Sequence, residues 1–283
     1  MLWNDLELEN GGGDAVYVAE TFDHLILPPT PADVASELGV DIVAFAREKL
    51  GFVVEPSQVE FLTSTAKRGI VNCSRQFGKT TLAAAKAIHR AWTRPGSLIL
   101  VVGPTLRQSG LFLSKAKRLL AATPEWRRQM KKDPDHPLSL RFPNDSLIVG
   151  LPAIEANIRG FGSVSMLIID EAARVPDVTY KALRPMLAVG NGDLWLLSTP
   201  KGQQGFFYEE FAYGGDRWVR FEVPATACAG RISAAFLEDE LAAMGAAWVK
   251  QEYFCEFLNM GGSMFDRQIV EDAVSEEIEP LVF

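Results

Sequence analysis

The sequence predicts an α/β fold with a mainly parallel central sheet flanked by helices. Three observations carry that expectation. From Gly69 onward, short apolar runs alternate with segments of helical period, the pattern of repeated strand–helix units. The runs Leu98–Val102, Met166–Ile169 and Leu194–Leu197 contain no polar residue, as strands covered on both faces require. The 283 residues are 48% hydrophobic and 23% charged, which supplies a sizeable core and excludes a disordered or collagenous chain.

In chain order, the first thirty residues are punctuated by Gly11-Gly12-Gly13 and Pro28-Pro29-Thr30-Pro31 and hold no lasting period. A helix is expected from Pro31 or Asp41 to Leu50, with Ile42, Phe45, Ala46 and Lys49 at near-helical spacing. Ile70-Val71 reads as a short strand, Thr80–Trp92 as an alanine-rich helix, Ser97–Gly103 as a buried strand and Gly110–Ala122 as a helix with a basic face. Leu138–Phe142 and Ser146–Leu151 flank the turn Pro143-Asn144-Asp145. The resulting division is a flexible segment 1–30, one domain over 31–260 with a small subdomain from the chain ends, and a linker over 261–283.

No apolar run approaches the ~18 residues that cross a bilayer. The N-terminus, MLWNDLELEN, is acidic where a secretory leader is basic. Cys73, Cys228 and Cys255 lack metal-ligand or CxxC spacing, which fits a reducing compartment. Together these predict a chain that is not exported. The net charge of −8 argues against nucleic acid at first sight, but residues 61–132 carry fifteen bases and one acid. A mild total hides a basic middle, either one surface or bases scattered over solvated helix faces.

The stretch Cys73-Ser74-Arg75-Gln76-Phe77-Gly78-Lys79-Thr80-Thr81 lies between a strand and a helix, where a phosphate-binding loop belongs. It follows G-x-x-x-x-G-K-[ST], with Cys73 in place of the first glycine. Gly78 lets the backbone curl its N–H groups toward a phosphate, Lys79 offers a cation to the β and γ phosphates, and the Thr80 hydroxyl can ligate Mg²⁺. Met166–Ile169 then runs into Asp170-Glu171, which places carboxylates at the C-terminal edge of a buried strand, where open α/β sheets bind ligands. Asp170 suits Mg²⁺, and Glu171 can orient and deprotonate an attacking water. Both motifs in this order predict an ATP site. The adjacent glutamate favours hydrolysis over kinase chemistry, and no Asn-Lys-x-Asp guanine motif occurs.

Ser74–Thr81, Leu167–Ala173 and Leu197-Ser198-Thr199-Pro200-Lys201-Gly202 resemble the ATPase domain of large terminase subunits, the DNA-packaging motors of tailed bacteriophages. The resemblance runs from about Pro56 to Phe265 and includes Gln251-Glu252-Tyr253 near its end. It implies a P-loop NTPase of the additional-strand, conserved-glutamate (RecA-like) type that couples ATP hydrolysis, with Mg²⁺, to translocation of double-stranded DNA into a procapsid. It also implies a portal protein and small terminase subunit as partners, a homo-oligomeric ring (a pentamer) on the procapsid, and the host bacterial cytoplasm as location.

The same resemblance assigns roles to further residues. Arg75 is the arginine that stabilises the γ phosphate in cis, and Arg159 the finger that reaches a neighbouring subunit's ATP. Gln58 reads adenine through an amide that both donates and accepts. Ser198 and Thr199 belong to the coupling motif that detects hydrolysis. The plainer alternatives are loop arginines in salt bridges, a helix-start glutamine, and turn chemistry before Pro200. Family members carry a nuclease domain, and the residues after Met260 are too few for one, so DNA cleavage is not expected here. A helicase-like DNA-dependent ATPase and a nucleotide-gated assembly module with little hydrolysis are the alternative functions. Lys115, Lys117, Arg118, Arg127, Arg128, Lys131 and Lys132 are the candidates for a DNA-facing stripe.

Overall fold

The computed structural model describes residues 41–124, 138–154, 160–228 and 231–259. Seven strands form one sheet in the order β3-β4-β2-β5-β6-β1-β7. They are β1 (Arg68–Cys73), β2 (Leu98–Gly103), β3 (Ser139–Arg141), β4 (Leu147–Pro152), β5 (Met166–Asp170), β6 (Asp193–Ser198) and β7 (Val219–Val223). Every pairing is parallel except β3 with β4, which the turn through Asp145 joins as a hairpin. The helices are α1 (Ile42–Leu50), α2 (Pro56–Thr63), α3 (Lys79–Thr93), α4 (Leu106–Leu120), α5 (Asp177–Leu183), α6 (Gly205–Tyr213), α7 (Ala234–Met244) and α8 (Ala246–Phe254). Among the described residues no helix is long and apolar enough to cross a membrane.

Strand alternation builds two cores, because successive side chains leave a strand on opposite faces. Val71, Ile99, Val101, Ile168, Trp195 and Leu197 pack under α1 to α4. Ile70, Leu100, Val102, Leu167, Ile169, Leu194 and Leu196 meet α5, α6 and the turn after β5. The alanines of α3 (Ala83, Ala84, Ala85, Ala87, Ala91) are all buried and let that helix lie close to the sheet. A separate small cluster, Ala225, Val249 and Tyr253 with Ile232, Leu237 and Phe254, holds the α7–α8 hairpin.

Local chemistry sets the helix ends. Asp41 accepts from the Val43 N–H to start α1, and Gly51 ends it at φ +60°. α2 opens with Pro56 at its first position and a Glu55/Gln58 capping box. At its far end, the buried Lys86 of α3 donates to the carbonyls of Phe61 (3.3 Å), Leu62 (3.0 Å) and Ser64 (2.6 Å). Burial pushes the Lys86 pKa down to about 7, partly offset by Asp193.

Two expectations change. α4 starts at Leu106, not Gly110, because the Thr105 hydroxyl caps the Gln108 N–H. Gly110 lies inside the helix, where its side faces open space. β7 was not anticipated, although Val219-Arg220-Phe221-Glu222-Val223 alternates strictly; it is an edge strand beside β1, too polar to stand out as an apolar run. Residues 31–40 of the first expected helix lie outside the described residues.

A Cβ added to Gly69 on β1 would fall 2.2 to 2.8 Å from three ring carbons of the fully buried Trp195. Gly69→Ala is expected to cost about 1–3 kcal/mol through overpacking. The check is a lower urea midpoint at unchanged m value; an unmoved midpoint shows that Trp195 gives way freely.

Candidate nucleotide site

Parallel register brings three strand ends together: Asn72 of β1 stands beside Ser198 of β6, and Asp170 of β5 beside Leu197. The phosphate-loop stretch leaves β1 here. Its turn uses left-handed backbone at Gln76 (φ +64°) and Gly78 (φ +92°), the second of which a side chain would strain. A Cβ at Gly78 would also press on Arg231 (3.2 Å). The turn starts α3 at Lys79, so the helix N-terminus faces the loop.

Lys79 and Thr80 each meet one acid at the end of β5. Lys79 Nζ lies 2.9 Å from Glu171 Oε1. The Thr80 hydroxyl donates to Asp170 Oδ2 at 2.9 Å, and Asp170 Oδ1 accepts from the Glu171 N–H. Glu171 itself sits in the left-handed region (φ +56°, ψ +42°), a conformation that costs on the order of 1–3 kcal/mol and aims its side chain back over the loop.

The charges differ in character. Burial raises the Asp170 pKa, against the opposing pull of Lys79 and Thr80. Burial works the same way on Glu171, but Lys79, Arg174 and Arg75 outweigh it and leave its pKa below the ordinary value. Burial opposes the Lys79 charge, yet Cys73, Glu171 and Asp170 together hold its pKa above that of a free lysine. A buried carboxylate touching a hydroxyl is a donor set of hard oxygens, so Thr80 and Asp170 fit a Mg²⁺ ion.

The other expected residues fall around this centre. Arg75 forms an ion pair through Nε with Glu252 Oε2 at 2.8 Å, and its guanidinium lies 5.9 Å from the Trp248 ring centre. Ser74 is buried and its N–H donates to Val223. The Phe77 side chain is in the core, and the Thr81 N–H bonds back to Gly78. Gln58 is buried, with Nε2 donating to the Phe77 carbonyl (3.0 Å) and Oε1 accepting from the Glu55 N–H (3.1 Å). Much of its amide is thus spent inside the chain, on the capping box and the loop. Ser198 is fully buried, and the Thr199 hydroxyl accepts from Arg174 at 3.1 Å. Arg159 lies outside the described residues, as do Arg127, Arg128, Lys131 and Lys132.

Two arginines escaped the sequence reading. Arg174 donates from Nη1 to Glu171 Oε2 and Thr199 Oγ1 and from Nη2 to Glu252 Oε1, each at 3.1 Å. Its position three residues after Glu171 was the only available signal. Arg231 grips Glu55 with Nε and Nη2 and donates from Nη1 to the carbonyls of Gln76 (2.8 Å) and Phe77 (3.2 Å). No local pattern announces a residue so distant in sequence.

A strand–loop–helix with this lysine and threonine, facing an acid pair across an inserted strand, defines a P-loop NTPase of the additional-strand class. A family model described as terminase large subunit, T4likevirus-type, N-terminal, matches residues 70–272. The chain belongs to that family. It is 30% identical over 194 residues to the terminase large subunit of Thermus virus P23-45, covering 62% of this chain and 40% of that protein. The chain therefore spans about two-fifths of the length of that relative. Among solved structures, the large terminase ATPase domain of Thermus phage P74-26 is 26% identical, with a TM-score of 0.61 over 75% of this chain and 97% of that one. The HK97 bacteriophage large terminase, at 17% identity, shares the fold, with a TM-score of 0.57 over 71% of this chain and 46% of that one.

Cys73, in the loop, is fully buried, and burial pushes its thiol pKa up to about 12. At pH 8 the thiolate fraction is then on the order of 10⁻⁴. Iodoacetamide at that pH is expected to label Cys73 only after unfolding; rapid labelling of the native chain would contradict the burial. Because the folded pKa is raised, the contribution of Cys73 to stability is full below the ordinary thiol pKa and is lost as pH rises toward 12.

Proposed function

We propose that this chain binds and hydrolyses ATP as the motor domain of a viral DNA-packaging terminase, driving double-stranded DNA into a procapsid. The observation that carries the reading is the double contact across β6: Lys79 with Glu171 and Thr80 with Asp170, each at 2.9 Å. Related structures support the nucleotide, since the large terminase of a thermophilic bacteriophage was solved with ADP and with ATP-γ-S.

In this mechanism the loop N–H groups and the α3 N-terminus cradle the phosphates. A γ phosphate competes with Glu171 for the Lys79 ammonium. Once released from that cation, the Glu171 carboxylate gains basicity and takes a proton from the attacking water. Arg75 places positive charge beside the transferring group. Thr80 and Asp170 would hold Mg²⁺, which would supply charge neutralisation for the phosphates. Gln58 and Arg231 brace the base side of the loop through the Phe77 carbonyl, and Gln58 keeps one N–H for the adenine edge. Arg159 acts in trans from a neighbouring subunit, and Ser198 and Thr199 pass the loss of γ phosphate to the rest of the domain.

The proposed domain spans residues 31–260, with α7–α8 as part of its small subdomain. Double-stranded DNA, a portal protein, a small terminase subunit and further copies in a ring are the proposed partners, in the host cytoplasm. On α4, Lys117 and Arg118 are exposed, whereas Lys115 is half-buried and its charge is felt by Asp170. The DNA-facing stripe therefore starts at Lys117.

Glu171→Gln is expected to keep ATP affinity and cut turnover by at least ~10²-fold. Phosphate release and nucleotide titration on the same preparation decide it, and near-normal turnover sinks the assignment. DNA-stimulated activity should fall steeply between about 50 and 200 mM salt if lysines and arginines hold the backbone.

A further inference from the structure

Glu252 lies on α8, far along the chain from both motifs, yet it is completely buried against them. A buried carboxylate persists only where cations and donors replace its water. Two guanidinium groups do so. Arg75 of the phosphate loop faces Oε2 at 2.8 Å, as an ion pair rather than an aligned hydrogen bond. Arg174, just after the acid pair, donates to Oε1 at 3.1 Å. The Arg75 backbone N–H also donates to the Glu252 carbonyl at 3.0 Å, so the loop is tied to α8 twice.

Neighbouring contacts seat the helix on the same strand ends. Gln251 accepts from the Gly202 N–H (2.9 Å), just past Ser198-Thr199-Pro200, and Asn72 at the end of β1 donates to the Cys255 carbonyl (2.8 Å). Simple anchoring would need only such contacts. The guanidinium pair differs because each arginine has further business: Arg174 holds Glu171 and Thr199 with Nη1, and the ion pair occupies only one edge of Arg75.

We infer that Glu252 is a positioning residue for ATP turnover, which orients Arg75 directly and Glu171 through Arg174, so that hydrolysis requires α8 to be seated on the nucleotide site. The inference rests on the roles given above to Glu171 and Arg75. Glu252 touches neither nucleotide nor water in this scheme. It fixes the angle of one arginine and the reach of the other, and misplacement by about an ångström at such a site costs up to ~10²-fold in rate.

The test uses the full chain in single-turnover ATP hydrolysis, with Glu252→Gln, Arg174→Gln, the double variant, and Glu171→Gln as a benchmark. Expected are a fall in rate of about tenfold or more for each single variant, nucleotide affinity within about threefold of wild type, and a double variant no slower than the worse single one. In each single variant the loss falls on the rate while nucleotide affinity is kept, a split that a loss of packing alone would not produce. Should Glu252→Gln fail to fold, the partly exposed Arg174 carries the test through its rate and nucleotide affinity. Unchanged rates, or additive losses in the double variant, overturn the inference. If Glu171→Gln hydrolyses ATP normally, the assignment of the base itself falls, which is distinguishable from failure of Glu252 alone.

Discussion

The site depends on one geometric constraint, the insertion of β6 between β1 and β5. Two strand spacings, roughly 9.5 Å, then separate the phosphate loop from the acid pair. Residues at the two strand ends cannot touch through short side chains across that gap. The left-handed turn at Gly78 carries Thr80 back over the sheet to Asp170, and the long side chains of Lys79 and Glu171 span what remains. Ser198, the last residue of β6, lies between the two strand ends.

The strained backbone of Glu171 follows from the same constraint. An extended residue at that position would continue β5 and project along the sheet. The left-handed conformation turns the chain at once into the 172–174 turn, which returns Arg174 toward Glu171 and Thr199. Lys79 and Arg174 then hold the carboxylate from two sides, which helps offset the backbone cost. Charge is balanced the same way throughout the site: Glu171 has ion pairs with two cations and Glu252 with two, whereas Asp170, buried against the Thr80 hydroxyl, meets the ammonium groups of Lys79 and Lys115 only at longer range.

Much of this was legible beforehand because it is local. Leu98–Val102, Met166–Ile169 and Leu194–Leu197 read as strands from apolar runs and form most of β2, β5 and β6, and the loop read from its place between a strand and a helix. What escaped had physical reasons. β7 is an edge strand whose polar residues hide its alternation. The start of α4 was lost to Gly110, a residue tolerated mid-helix because its side faces open space. For Gln58, only the folded chain shows that its amide is shared between a capping box and the Phe77 carbonyl.

By itself the sequence determined the fold class and the order of the loop and acid-pair motifs, since these rest on residue type and short spacing. Only the tertiary structure decided which cations meet which carboxylates. Arg174, Arg231 and Glu252 come from segments distant in the chain from the loop, and their contacts with the loop or the acid pair exist because parallel strands of matched register deliver their ends to one edge of the sheet. Long-range ion pairs are set by that convergence and by burial, neither of which has a local signature.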